Sequence, residues 1–90
     1  MPKRVDANQA DIVAALRKCG ASVQDLHEVG GGCPDLLVGY HGVNALAEVK
    51  TLKGRLLANQ RRWMDAWKGQ HTILRRPEDV PGFLESLEEE

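Results

Sequence analysis

The residues of this chain best suited to chemistry are two carboxylates and an amine: Asp35, Glu48 and Lys50. Asp35 follows Pro34 at the head of an extended segment, "PDLLVGY". Glu48-Val49-Lys50 closes a second, "VNALAEVK", and a His-Gly turn joins the two. Carboxylates held on adjoining strands can grip a hard divalent cation, Mg²⁺ or Mn²⁺, and an adjacent lysine can steer or activate a water. Set against a phosphodiester, such a group would hydrolyse it.

Each residue also has a plainer use. An Asp after Pro commonly opens a strand from a turn. Against that, Glu48 lies across the hairpin at a matching height. A Glu in the middle of an apolar strand is disfavoured unless it faces solvent or meets a cation, so a cation explains it better. Alternation places Glu48 and Lys50 on one strand face and Val49 on the other. From there the Lys50 ammonium could offset charge developing at phosphorus; its plain use is to snorkel to solvent.

The elements that must hold these groups are legible from periodicity. Ile12, Ala15, Leu16 and Cys19 predict an amphipathic helix over 7–19, stopped by Gly20, with Asp6 and Gln9 as a capping pair. A short strand is expected within 21–29, followed by the hinge-like run Gly30-Gly31-Gly32-Cys33-Pro34. Strands at 35–40 and 43–50 form a hairpin about His41-Gly42. A basic loop then leads to a helix at 58–68, a strand at 71–76 ended by Pro77, and a short helix within 78–88. The order α-β-β-β-α-β-(α) describes one α/β domain over residues 1–90, with no repeat and no linker. In the second helix Trp63 and Trp67 stand one turn apart; the reading favoured is core, and stacking on bases is the other use.

Charge points to the partner. The formal net charge of −1 conceals an asymmetry. All 12 basic side chains precede residue 77 with seven acids, a surplus of five, whereas 78–90 carries six acids and no base. A basic body suits phosphates, although ordinary solvated charge would look similar. Lys53, Arg55, Arg61, Arg62, Arg75 and Arg76, with Lys3 and Arg4, could hold a nucleic-acid backbone without reading its sequence. The acidic end reads as a solubilising tail. No helix-turn-helix or zinc-finger pattern occurs, and no apolar run suggests a membrane span or a secretory signal. Cys19 and Cys33 match no metal-ligand spacing and read as thiols of a reducing cytoplasm. His27, His41 and His71 do not cluster, which argues against zinc, and Glu28 reads as a surface acid. Nothing suggests a small-molecule cofactor.

The pattern G-G-G-x-P-D…E-V-K, with a helix before it and a Gln-bearing helix after it, resembles the PD-(D/E)XK nuclease superfamily. Within that group it is most similar to the small stand-alone VRR-NUC nucleases of phages and bacteria, over about residues 6–76. The resemblance implies a restriction-endonuclease-like core with a mixed central sheet flanked by helices. It further implies Asp35, Glu48 and the Val49 carbonyl as metal ligands, with catalytic roles for Lys50 and for Gln60, which could equally be a solvated helix residue. An acidic contributor from the first helix is also implied, and Asp6, Asn8, Gln9 and Asp11 compete for it. The expected activity is Mg²⁺- or Mn²⁺-dependent endonucleolytic cleavage of branched DNA such as four-way junctions, in the cytoplasm of a bacterium or phage-infected cell. A homodimer is expected too, because one small chain offers little surface for gripping a duplex. The competing readings are a non-catalytic nucleic-acid-binding module and a nuclease acting on RNA.

Overall fold

The computed structural model describes residues 8–88. A four-stranded sheet in the order β1-β2-β3-β4 forms its centre. The strands are β1 (Ser22–Asp25), β2 (Leu36–Tyr40), β3 (Val43–Val49) and β4 (His71–Leu74). β1 and β2 pair antiparallel, as do β2 and β3, whereas β3 and β4 are parallel. A parallel pair needs a crossover, and α2 (Ala58–Ala66) supplies it. With α1 (Gln9–Lys18) and α3 (Val80–Leu87) the fold is α/β with a mixed sheet flanked by helices, the architecture the motif order predicts.

The β2–β3 hairpin turns in two residues, with Tyr40 opposite Val43. His41 and Gly42 both take positive φ, 49° and 81°. That is the backbone of a type I′ turn, whose twist matches the flanking strands. It fixes the register, and the register fixes every side chain's face. Leu36, Val38, Ala45, Ala47, Val49 and Leu74 all point to one side. There they meet Ile12 and Leu16 of α1 and Val80, Leu84 and Leu87 of α3 in a single apolar cluster. Gly20, at φ 94°, ends α1 as expected.

Three expectations change. β1 is shorter than its predicted segment: Leu26 donates to the Asp35 carbonyl, and the chain then turns, Val29 N–H bonding back to Leu26. The acidic end is no mere solvated tail, since α3 buries Val80, Leu84 and Leu87 in the core and keeps its acids outside. The tryptophans are not core: Trp63 is half-buried and Trp67 is 46% exposed. They stack on each other, centroids 4.6 Å apart. Asp6, Lys3 and Arg4 lie outside the described residues, and with them the Asp6 half of the capping pair.

Candidate active site

The sheet face opposite the core carries the polar groups. Carried one step past Leu36–Ala47, the hairpin register sets Asp35 opposite Glu48, and one more step sets Pro34 opposite Val49. Proline has no N–H to give, so the ladder changes character here. The Val49 N–H goes instead to Asp35 Oδ2 at 2.8 Å, buried. The Val49 carbonyl points toward the same neighbour, where proline offers it no donor. Pro-Asp at this position thus makes a backbone N–H orient a carboxylate and leaves a strand carbonyl off the ladder.

Glu48 is 1% exposed and Asp35 3%, an unusual depth for carboxylates. Glu48 Oε2 accepts from Gln60 Nε2 at 3.1 Å and lies 3.8 Å from the Lys50 ammonium. Gln60 is itself held, its Oε1 accepting the Leu57 N–H at 2.9 Å. It stands at N3 of α2, where Glu or Gln commonly reaches back to the N-cap backbone. One side chain therefore caps its helix and grips the strand carboxylate.

The glycine loop is fitted to the same helix. A Cβ on Gly32 would stand 2.4 Å from the Asn59 carbonyl oxygen, and its φ of 90° also excludes most side chains. Only glycine lets the Asp35 loop sit against the turn of α2 that carries Gln60.

Asp35, Glu48, Lys50 and Gln60 thus come together, with the Val49 backbone at the edge of the group. The first-helix candidates sort differently. Asn8 sits at the N-cap of α1 but does not cap it. Its amide donates to the Lys50 carbonyl at 3.0 Å and the Arg75 carbonyl at 2.7 Å, tying α1 to the ends of β3 and β4. Gln9 is buried and donates to Asp25 at 3.3 Å. Its Oε1 has no hydrogen-bond partner among the described residues. Asp11 is exposed. No spacing rule could have found the Asn8 bridge, because its partners are distant backbone carbonyls.

The basic residues also divide. Lys53, Arg55, Arg61 and Arg62 are exposed. Arg75 Nη1 is turned onto the loop after β3, 2.7 Å from the Thr51 carbonyl and 2.6 Å from that of Gly54. Arg76 approaches Asp79 at 3.8 Å, yet stays 58% exposed. Arg55, Arg61 and Arg75 line one cleft with Gly54, Leu56 and Ile73. Ile73 is the β4 partner of Glu48, so this cationic cleft borders Glu48. Two histidines pair away from the site, His27 with Asp25 and His41 with Glu88, each through Nδ1, whereas His71 opens β4 opposite Leu46. The N–H of His27, donated to Asp25, is the main reason that the Asp25 carboxyl lies below the ordinary aspartate range. Cys19 is exposed, Cys33 is buried, and no disulfide joins them.

The donor set fits a hard cation. It consists of carboxylate oxygens and a backbone carbonyl, oxygen ligands throughout. Among the described residues no three His, Cys, Asp or Glu gather into a cage. So sparse a set can serve a divalent cation whose shell is completed by waters and substrate phosphates.

The family model for the VRR-NUC domain matches residues 3–75. No curated protein and no solved structure matches the chain.

Proposed function

On the premise that this chain belongs to the VRR-NUC family of the PD-(D/E)XK nuclease superfamily, we propose that it is a divalent-metal-dependent endodeoxyribonuclease acting on branched DNA. The observation that carries the reading is the buried Asp35–Glu48 pair with Lys50 3.8 Å from Glu48, all at one end of the hairpin. Burying carboxylates this deeply costs stability unless a cation or hydrogen bonds offset it. A structural ion pair alone gives no reason to keep both acids at a site bordered by arginines.

Asp35, Glu48 and the Val49 carbonyl would hold Mg²⁺ or Mn²⁺, which when bound supplies Lewis acidity toward a phosphoryl oxygen and acidifies a water. The chain's own groups do the rest. Asp35 is fixed by the Val49 N–H, and Glu48 by the Gln60 amide. Lys50, kept on the Glu48 face, orients the attacking water and offsets charge on the phosphoryl oxygens as it develops. Gln60 acts as a positioning residue through Glu48. Lys53, Arg55, Arg61, Arg62 and Arg76 meet flanking phosphates, with Arg75 contributing from the cleft wall.

These contacts fit recognition of the backbone rather than of base sequence. A four-way junction is the preferred substrate we assign, with two copies of the chain presenting two sites. The test is cleavage of a junction, a flap and a plain duplex in Mn²⁺ by the parent chain and by Asp35→Asn and Lys50→Ala. Each substitution is expected to lower the rate by about 10²–10³-fold. Unchanged rates in both variants would sink the assignment. RNA cut as fast as DNA would redirect it to another substrate.

A further inference from the structure

The site face holds a second recess, unlike the cationic cleft in every respect. Leu37, Asn44, Ala45, Leu46, Trp67, Gly69 and Gln70 enclose a hollow of ≈ 210 Å³. Trp67 and Leu37 at its rim are 46% and 37% exposed. Its lining is apolar with two carboxamides, and it contains no charged side chain. Leu46 lies two residues before Glu48 on the same face of β3, about 7 Å along the strand. Trp67, the residue that ends α2, closes the hollow one turn beyond Trp63. The two recesses therefore flank Glu48, one lined by arginines and one by flat and aliphatic groups.

A nucleotide has this same division between anionic backbone and flat base. We propose that the Trp67 hollow is a nucleobase subsite, taking one unpaired base of the strand whose phosphate lies at Glu48. The inference rests on the nuclease reading above and adds to it a requirement for an unpaired nucleotide beside the cut. Trp67 lines the hollow while stacked on Trp63 at 4.6 Å with 19° between planes, a contact that restricts how its ring can turn. Base–aromatic stacking tolerates any base, and the amides of Asn44 and Gln70 offer both donors and acceptors to its edge. The size agrees: the hollow is smaller than the roughly 300–1,000 Å³ of a drug-sized ligand site, the scale of a single heterocycle. The Arg55–Arg61–Arg75 cleft across Glu48 supplies the continuity, since a strand lying over both recesses matches phosphate to charge and base to ring.

Trp63 and Trp67 are the chain's two tryptophans, so its indole fluorescence reports on this recess. The experiment titrates the full chain, in chelator to prevent cleavage, with a short oligothymidylate and with an abasic strand of equal length. Quenching by oligothymidylate is expected, with affinity about tenfold or more above that of the abasic strand, a margin that Trp67→Ala abolishes. Equal binding and quenching by the two strands would overturn the subsite without needing any variant. A self-association removed by Trp67→Ala, with oligothymidylate binding unaltered, would give the hollow to a second copy of the chain and likewise overturn it. Junction cleavage in Mn²⁺ separates the two readings. Cleavage without base-dependent quenching removes the subsite alone, whereas base-dependent quenching without cleavage of any DNA keeps the subsite and removes the nuclease.

Discussion

Along β3, Ala45, Ala47 and Val49 turn to one side of the sheet, and Leu46 and Glu48 turn to the other. The first side is roofed by two helices and holds the apolar cluster; the second carries α2 and holds buried acids, an amide and two open recesses. Successive residues of one strand thus follow opposite rules. On the core face each side chain is worth the area that it removes from water. On the site face Glu48 and Asp35 sit where they cost stability, and the core face carries that cost.

The contrast can be broken or sharpened by substitution. The largest effect on folding should come from Leu36→Ala, at a fully buried core position. A loss of about 2–5 kcal/mol is expected in urea denaturation, a large share of the roughly 5–15 kcal/mol that holds such a domain. Glu48→Gln, one strand away and equally buried, should lower stability in metal-free buffer by clearly less than Leu36→Ala does. It opens no cavity and the Gln60 hydrogen bond can persist, while the gain from removing a buried charge is set against the Lys50 ammonium's loss of its carboxylate. Its cleavage rate should nevertheless fall at least about 100-fold. A Glu48→Gln protein as destabilised as Leu36→Ala would erase the distinction between the faces.

The smallest effect belongs to the rim, at Asp25. Its carboxyl is held below the ordinary range mainly by the His27 N–H, with further help from the His27 ring and Gln9. A depressed folded-state pKa contributes stability that is present above the unfolded value of about 3.9 and is lost as pH falls through the folded value. Asp25→Asn should therefore narrow the stability difference between pH 7 and acid, most visibly below pH 4 by the same reference value. The side chain is 47% exposed, so solvent screening keeps the effect small. Identical acid denaturation curves for the two proteins would refute the linkage.

Backbone periodicity explains what the sequence disclosed. A two-residue His-Gly turn and strict alternation put Glu48 and Lys50 on one face and Val49 on the other, whatever packs around them. In the sequence Gln60 is tied to the site only by the family resemblance, since its place in the helix suits a solvated residue equally well; its bonds to Glu48 and to the Leu57 N–H come from the fold. What stayed hidden depends on partners rather than on spacing. One-turn spacing told that Trp63 and Trp67 share a helix face, but not that this face overhangs a partly covered sheet. Basic residues counted as phosphate contacts include Arg75, whose guanidinium is turned onto its own loop because three backbone carbonyls converge there. Asn8 carries no local signal at all, since its hydrogen bonds reach across to the ends of β3 and β4.

The contact of Gly32 with the Asn59 carbonyl also bears on the order of events during folding. It joins a loop ahead of β2 to a helix beyond β3, so it cannot form until the hairpin between them has closed and α2 has docked. Contacts of this range are rewarded late, after the entropy of the intervening chain has been lost. Gly32→Ala should accordingly speed unfolding in stopped-flow experiments and leave refolding nearly unchanged, the signature of a position unformed in the transition state. Slowed refolding would instead put the loop in the nucleus. On the expected outcome, the hairpin brings the two acids together first, and the turn of α2 that carries Gln60 joins them last.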